Sequence, residues 1–246
     1  TSDAAYGLLG KCYVTRACYG GGATDYTAAI SAINNIQNAQ LAPQFGSNFD
    51  AYDENNVESL FEFQASQANG DNIWLSNDFG SIGSMSAYWG FFDCQWSWWS
   101  GMPWVPTDKL RAAFEPGDPR IDETFRANGG DNWDGWEFIK FTKRNMLAGT
   151  SASLNNPRIL RYGDVLLLRA EAYLQSGNEP LARADVNAIR KRARESVPDT
   201  VAVSTVPADL ATVTMEDIMN ERYCELAGEE GDRFLDLKRW DAAGYI

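Results

Sequence analysis

The chain of 246 residues is long enough for one large domain or two small ones, and it can bury a substantial core. Its formal charge of −13 opposes nucleic-acid binding, because the field of the whole protein would repel phosphate groups. The sequence has no histidine, which excludes Ser-His-Asp and Cys-His catalysis and any zinc site that uses histidine.

The four cysteines give little information about the cellular compartment. They stand at positions 12, 18, 94 and 224, and no two have the CxxC spacing of a zinc knuckle or a redox motif. Disulfide pairings remain formally open. Because Cys12 and Cys224 stand among apolar helix positions, free buried thiols are the favoured interpretation. No apolar run approaches the roughly 18 residues that a membrane-spanning helix needs.

The first predicted element is a helix that includes residues 6–13. Tyr6, Leu9, Gly10 and Tyr13 fit the first-helix pattern of a tetratricopeptide repeat, with tyrosine in place of the usual tryptophan. The small residue at position 10 would let a paired helix approach closely.

Residues 39–157 have a different character, because they are irregular and rich in Gly, Asn, Asp and aromatic residues. Short strands are predicted at 57–65 and 136–142. A long loop-rich stretch inside a helical scaffold is more often functional than decorative. The ligand is therefore expected here.

The strongest candidate ligand site is a cluster of tryptophans between positions 89 and 104. Aromatic faces attract the C–H groups of a sugar ring, while neighbouring polar groups bond its hydroxyls. The candidates are Tyr88, Trp89, Asp93, Gln95, Trp96, Trp98 and Trp99. Trp104 is predicted to be packed. The alternative is that these rings form a small core under the loop.

Two further sets of candidate ligand residues flank this cluster. One is Trp133 and Trp136 with Asp131 and Asp134, and the other is Asp71, Asn72 and Trp74. The acids of the first set lack the spacing of an EF-hand, so no metal or cofactor is predicted, and calcium remains an alternative.

A second helical repeat unit is predicted over residues 166–189. Gly177 should end its first helix, Asn178 should cap the next, and Pro180 falls in that helix's first turn. Residues predicted on the outer face of the second helix are Asp185, Arg190 and Arg194.

A third helix should follow Thr214, which forms a capping box with Asp217. Its predicted buried face consists of Met215, Ile218, Met219, Tyr223 and Leu226. Acids and bases alternate over 221–240, and two interpretations exist. Glu221, Glu225, Asp232 and Asp236 could serve acid–base catalysis. The favoured interpretation is ion pairing, with Arg222 against Glu225, Arg233 against Asp236, and Lys238 or Arg239 as a further partner of these acids.

Five segments in order resemble the SusD/RagB family of nutrient-binding outer-membrane lipoproteins. They are ESLFEFQ at 58–64, VPTDKLRAAF at 105–114, GDPR at 117–120, ILRYGDVLLLRAEAY at 159–173 and ERYCELAGEEGDRFLDLKRW at 221–240. The resemblance implies a mainly α fold: tetratricopeptide-like helical pairs at 1–38 and 158–246, and a loop-rich ligand insertion with short strands at 39–157. It covers the C-terminal half of a usual member, so an N-terminal half is expected upstream.

The resemblance also implies a function. The expected protein is a non-catalytic glycan-binding protein at the outer-membrane surface, held by a lipid anchor not present in this chain. It would deliver oligosaccharide to a SusC-like TonB-dependent transporter. The alternatives are a glycoside hydrolase that uses Asp93 with Asp131 or Asp134, and a tetratricopeptide-type scaffold that binds peptides.

Overall fold

The computed structural model describes residues 1–64, 105–127, 135–141, 155–229 and 232–246. Its elements in chain order are α1 (Ser2–Arg16), a π-helical turn (Ala17–Gly21), α2 (Gly22–Ile33), a 3-10 turn (Phe45–Phe49), β1 (Ser59–Glu62), α3 (Asp108–Ala113), α4 (Arg120–Thr124), β2 (Phe125–Ala127), β3 (Trp136–Phe138), β4 (Arg158–Arg161), α5 (Tyr162–Gln175), α6 (Glu179–Glu195), α7 (Met215–Glu225) and α8 (Asp232–Ala242). The predicted mainly α architecture is confirmed. None of these helices has the length and apolar character needed to cross a bilayer.

The helix boundaries follow the capping signals of the sequence. Gly177 ends α5 with a φ of 77°, which residues with a side chain rarely adopt. Pro180 lies in the first turn of α6, where a missing N–H is tolerated. At α7, Asp217 N donates to the Thr214 hydroxyl at 3.2 Å and Thr214 N donates to the Asp217 carboxylate at 2.8 Å, so the capping box is confirmed. The Asn178 side chain makes no capping bond.

The helices pack in pairs, as the repeat pattern predicts. α1 packs against α2 and α5 packs against α6, while α5 also contacts α1, α2 and α7. A Cβ atom at Gly10 would lie 2.5 Å from the Ile33 side chain, so glycine is what allows α1 and α2 to approach closely. Two apolar cores fill the spaces, one with Val14, Tyr26, Ile33 and Leu168, the other with Leu167, Val186 and Ile218.

The described residues form two short antiparallel sheets, and one of them, β1 with β4, connects the insertion with the scaffold. β1 pairs with β4, with Phe61 opposite Leu160, and β2 pairs with β3 in a hairpin with Ala127 opposite Trp136. Both predicted strands are present, although shorter than expected. The pairing of β1 shifts register between Phe61 and Glu62, which limits its length.

Several predicted burial assignments are wrong. Cys12 is exposed, while Cys18 and Cys224 are buried free thiols. Asp185 and Arg190, predicted on an outer face, are buried. Asp185 lies 2.7 Å from Arg169 and Arg190 lies 2.9 Å from Glu221, and these ion pairs allow charged side chains to be buried.

The buried face of α7 differs most from its prediction. Met215, Met219 and Tyr223 are only half-buried, although Ile218 and Leu226 are buried as expected. The fully buried positions of this helix include three charged residues: Glu221, Arg222 and Glu225. An apolar pattern alone could not identify this face.

Candidate functional site

Most of the predicted ligand residues lie outside the described residues. They are Asp71, Asn72, Trp74, Tyr88, Trp89, Asp93, Gln95, Trp96, Trp98, Trp99, Asp131, Trp133 and Asp134. Trp104 and Cys94 also lie outside them, and Trp136 lies within. These assignments therefore stay predictions, and the described residues beside them define the candidate site.

The described residues that flank these stretches are held together by hydrogen bonds. Phe63 N donates to Pro157 O at 3.0 Å. The buried Asn155 side chain donates from Nδ2 to Phe49 O at 2.6 Å and to Phe141 O at 3.1 Å. The described residues at the ends of these stretches therefore lie close together: Phe63 is beside Pro157, and Phe141 is beside Asn155.

Three exposed aromatic side chains lie at this place, and we name them the aromatic edge: Tyr52, Phe61 and Phe63. Their exposed fractions are 74%, 49% and 52%. Leu60 and Glu62, which alternate with the two phenylalanines, are buried. Strand alternation fixes this division, because successive side chains of a strand point to opposite faces.

Sequence reasoning missed the aromatic edge. The signal was available in ESLFEFQ, where the phenylalanines alternate with Leu60 and Glu62. Because exposed large rings are uncommon as a contiguous group on a monomer, this surface is a candidate binding surface.

An amide pair lies directly beside the aromatic edge. Asn55 Nδ2 donates to Gln64 Oε1 at 3.1 Å, and Gln64 Nε2 donates to Asn55 Oδ1 at 3.0 Å. Asn55 N also donates to the Glu62 carboxylate at 3.1 Å, which fixes the turn against β1. Both amides are exposed, and Gln64 directly follows Phe63 in the chain, so groups that donate and accept hydrogen bonds adjoin the aromatic edge.

Trp136 is the first residue of β3 and lies opposite Ala127, the last residue of β2. Its ring is half-buried beside the apolar cluster of Leu110, Phe114 and Phe125. The Arg111 guanidinium lies 4.7 Å from the ring centroid and also pairs with Asp108. Trp136 is thus held in place by described residues of the insertion, and its role in ligand binding stays a prediction.

A network of buried charges lies behind the aromatic edge. Its centre, the central charge cluster, consists of Glu58, Arg161, Arg192 and Glu225. Arg161 Nη1 lies 2.8 Å from Glu58 and 2.6 Å from Glu225, and Arg192 contacts both carboxylates. All four side chains are buried.

The electrostatics of this cluster argue against acid–base catalysis. Burial alone would raise the pKa of Glu225, but the guanidinium groups of Arg192, Arg161 and Arg120 outweigh it and hold the pKa well below its usual range. The pKa of Glu58 is lowered in the same way by Arg192 and Arg161. A carboxylate that stays ionised cannot donate a proton as a general acid.

Two basic residues of the insertion join it to α7. Arg120 Nη1 lies 2.6 Å from Glu221 and 2.9 Å from Glu225. Lys140 Nζ donates to the backbone carbonyls of Glu225 and Ala227, each at 3.0 Å, and pairs with Glu229 at 2.5 Å. Burial lowers the pKa of Lys140 to about 8.

A second network explains the remaining charges of 221–240. Arg222 pairs with Asp164 at 2.8 Å and with Asp236 at 2.7 Å, not with Glu225 as predicted. Arg233 does not pair with Asp236; its guanidinium lies 4.1 Å from the ring centroid of Tyr223. The predicted ion-pair role of the segment is confirmed. The two predicted pairs Arg222–Glu225 and Arg233–Asp236 are wrong, whereas Arg239, also predicted as a partner of these acids, pairs with Asp236 at 2.9 Å. Among the described residues, no cluster of cysteine, aspartate and glutamate side chains is arranged to hold a metal ion.

Comparisons with known proteins agree with this architecture. A sequence profile of the SusD family matches residues 122–244, which is half of the chain. A comparison with curated proteins returned no significant match.

The fold is similar to solved structures of this group. One is NanU of B. fragilis, with 22% identity, a TM-score of 0.65, and coverage of 99% of this chain and 57% of that one. A SusD superfamily protein from Parabacteroides distasonis has 21% identity and a TM-score of 0.71, with coverage of 95% and 51%. Surface glycan-binding protein A from Bacteroides thetaiotaomicron, solved with laminarihexaose, has 20% identity and a TM-score of 0.66, with coverage of 98% and 55%. The chain spans little more than half the length of these structures.

Proposed function

The chain belongs to the SusD family, and on that premise we propose that it is a non-catalytic glycan-binding protein of the cell surface. Its ligand would be an oligosaccharide bound around the aromatic edge and the adjoining tryptophan-rich sequence. A similar fold, that of surface glycan-binding protein A, has been solved with laminarihexaose, which supports this class of ligand.

One observation carries the proposal: exposed rings and an exposed amide pair share one short segment of the chain, residues 52–64. Phe61 and Phe63 offer ring faces for the C–H groups of a sugar. Asn55 and Gln64 offer donors and acceptors for its hydroxyls. The carboxylates behind them are ionised and paired with arginine, which supports binding rather than hydrolysis.

The partner in this proposal is a SusC-like TonB-dependent transporter, which would receive the bound oligosaccharide. Attachment to the outer membrane would depend on a lipid anchor. Co-purification of the protein with its transporter, and fractionation of membranes, would test these two points.

The binding experiment compares two sets of variants with a matched control. A glycan array first identifies the ligand, and isothermal titration then measures its affinity. Phe61→Ala with Phe63→Ala should weaken binding about 10-fold or more, because stacking surface is lost. The control is Phe234→Ala, which removes a ring that is 64% exposed on α8 and should leave affinity unchanged.

The tryptophan platform is tested in the same titration. Replacement of Trp96, Trp98 and Trp99 together by alanine should reduce affinity by about 100-fold. Undiminished binding in this triple variant would remove the proposed platform. New reducing ends in an incubation of the protein with its glycan would show hydrolysis and contradict the non-catalytic assignment.

A further inference from the structure

The negative charge of the protein is concentrated in the insertion. Residues 39–157 contain 16 acidic and seven basic side chains, so they carry −9 of the net charge of −13. The sequence of 65–104 contains Asp71, Asp78 and Asp93 and no lysine or arginine. A bound anion would therefore depend on cations supplied by other residues.

Three of the described cations of the insertion are engaged within the protein, whereas Lys109 is exposed on α3. Arg120 and Lys140 are buried and paired with carboxylates of Glu221 and Glu229. Arg111 pairs with Asp108 and lies over the ring of Trp136.

The two arginines of β4, the strand that pairs with β1, also form ion pairs within the protein. Arg158 Nε lies 3.3 Å from Glu62, and Arg161 lies 2.8 Å from Glu58. All four of these side chains are buried. Recognition of a carboxylate or sulfate typically uses the planar fork of an arginine. These guanidinium groups are directed into the protein, away from any ligand at its surface.

The charges that do face solvent beside the aromatic edge are acidic. Asp53 is exposed in the turn between Tyr52 and Asn55, and Glu54 of the same turn is half-buried. Fixed carboxylates repel an approaching anion within a Debye length of about 10 Å. They can accept hydrogen bonds from sugar hydroxyls, as the amide pair can.

From this distribution of charge we propose that the ligand is an uncharged glycan, an inference that rests on the proposed glycan-binding function. The rings supply stacking, and the amides with the nearby carboxylates supply hydrogen bonds. Glycans that carry uronate or sulfate groups are excluded by repulsion and by the absence of a free guanidinium among the described residues of the aromatic edge and β4.

A panel of defined oligosaccharides tests this inference. The probes are laminarihexaose and a xylogluco-oligosaccharide as neutral ligands, hexagalacturonate and a heparin hexasaccharide as anions, and a chitosan hexamer as a cation, within a wider array of neutral glycans. We expect the glycans that bind to be neutral. Their affinity should change less than about 2-fold between about 20 and about 500 mM NaCl. If the glycan that binds most tightly is charged and its affinity falls steeply as salt is added, the inference is overturned, while glycan binding itself stands. Binding of no probe would refute both the proposed function and this inference.

A pair of charge variants tests whether the selectivity against anionic glycans arises at the aromatic edge itself. Asp53→Lys places a cation at the aromatic edge, and Asp241→Lys on α8 changes the net charge by the same amount at an exposed position. At low salt, Asp53→Lys should improve the affinity for hexagalacturonate relative to the neutral hit by about 5-fold, and Asp241→Lys should not. Equal effects of the two variants, or no effect of Asp53→Lys, would show that the edge does not discriminate by charge.

Discussion

The central charge cluster and the aromatic edge meet at β1, yet they are built from opposite chemistry. Glu58, immediately before the strand, is buried between Arg161 and Arg192. Phe61 and Phe63, within and just after it, are exposed. The usual arrangement of apolar residues inside and charged residues outside is thus reversed over six residues.

This reversal separates the scaffold from the binding surface. Buried charges are tolerated only when they are paired and hydrogen-bonded, so the cluster requires one particular arrangement of the helices and the insertion. Exposed rings lack the stabilisation that burial would give them. A surface that retains such rings therefore offers a binding place for an apolar partner. The charged residues of this protein therefore identify its framework, and its exposed rings identify the candidate site.

The largest expected effect comes from the centre of the charge cluster. Glu225→Gln would leave Arg161, Arg192 and Arg120 without their shared carboxylate, and should lower the free energy of unfolding by about 3–5 kcal/mol. Urea denaturation measures this. The control Glu216→Gln, at an exposed position of α7, should change it by about 0.5 kcal/mol or less. Equal effects would contradict the framework role.

Acid should weaken the same cluster. The pKa values of Glu58 and Glu225 lie below their ordinary value of 4.5 in the folded protein. A carboxyl with a lowered folded pKa contributes stability that is fully present above the unfolded pKa and is lost as pH falls through the folded pKa. Unfolding free energies of the wild type should therefore fall below about pH 5, and the difference from Glu225→Gln should shrink. A difference independent of pH would speak against this assignment.

Trp136 is a predicted ligand residue that also packs against an apolar cluster, so its replacement separates ligand binding from stability. Trp136→Ala removes a half-buried ring and the support it gives to Arg111, and should lower stability by about 2 kcal/mol. Trp136→Phe should retain much of that stability. Glycan titration on both variants separates the roles, because a loss of affinity in the well-folded Phe variant would place the indole in the ligand site. Unchanged stability of the Ala variant would refute its packing role.

The smallest effect is expected at Arg233, which belongs to the scaffold but has no carboxylate partner in the described ion pairs. Its guanidinium lies over Tyr223 and 5.5 Å from the Trp240 ring centroid. Arg233→Ala should lower stability by about 1 kcal/mol and leave glycan affinity unchanged. Lys238→Ala on the same helix is the control, with a smaller loss expected. A loss of affinity without a loss of stability would return 221–240 to the list of candidate ligand sites.

Much of the fold could be predicted because its signals are local. Gly177, Pro180 and the Thr214 capping box each specify a helix end from residues within one turn. The spacing around Gly10 likewise predicted the close helix pair. The motif ESLFEFQ predicted a strand and, within the series of motifs, the family.

The sequence by itself therefore determined the helix ends, the repeat pairing, the family and the region in which a ligand is expected. Only the tertiary structure decided which charges pair, because the partners are remote in the chain: Arg192 reaches Glu58 across 134 positions and Arg161 reaches it across 103. It also decided that Phe61 and Phe63 are exposed while Glu58 and Glu62 are buried. A sequence pattern records which side chains alternate, but which face is covered depends on what packs against it.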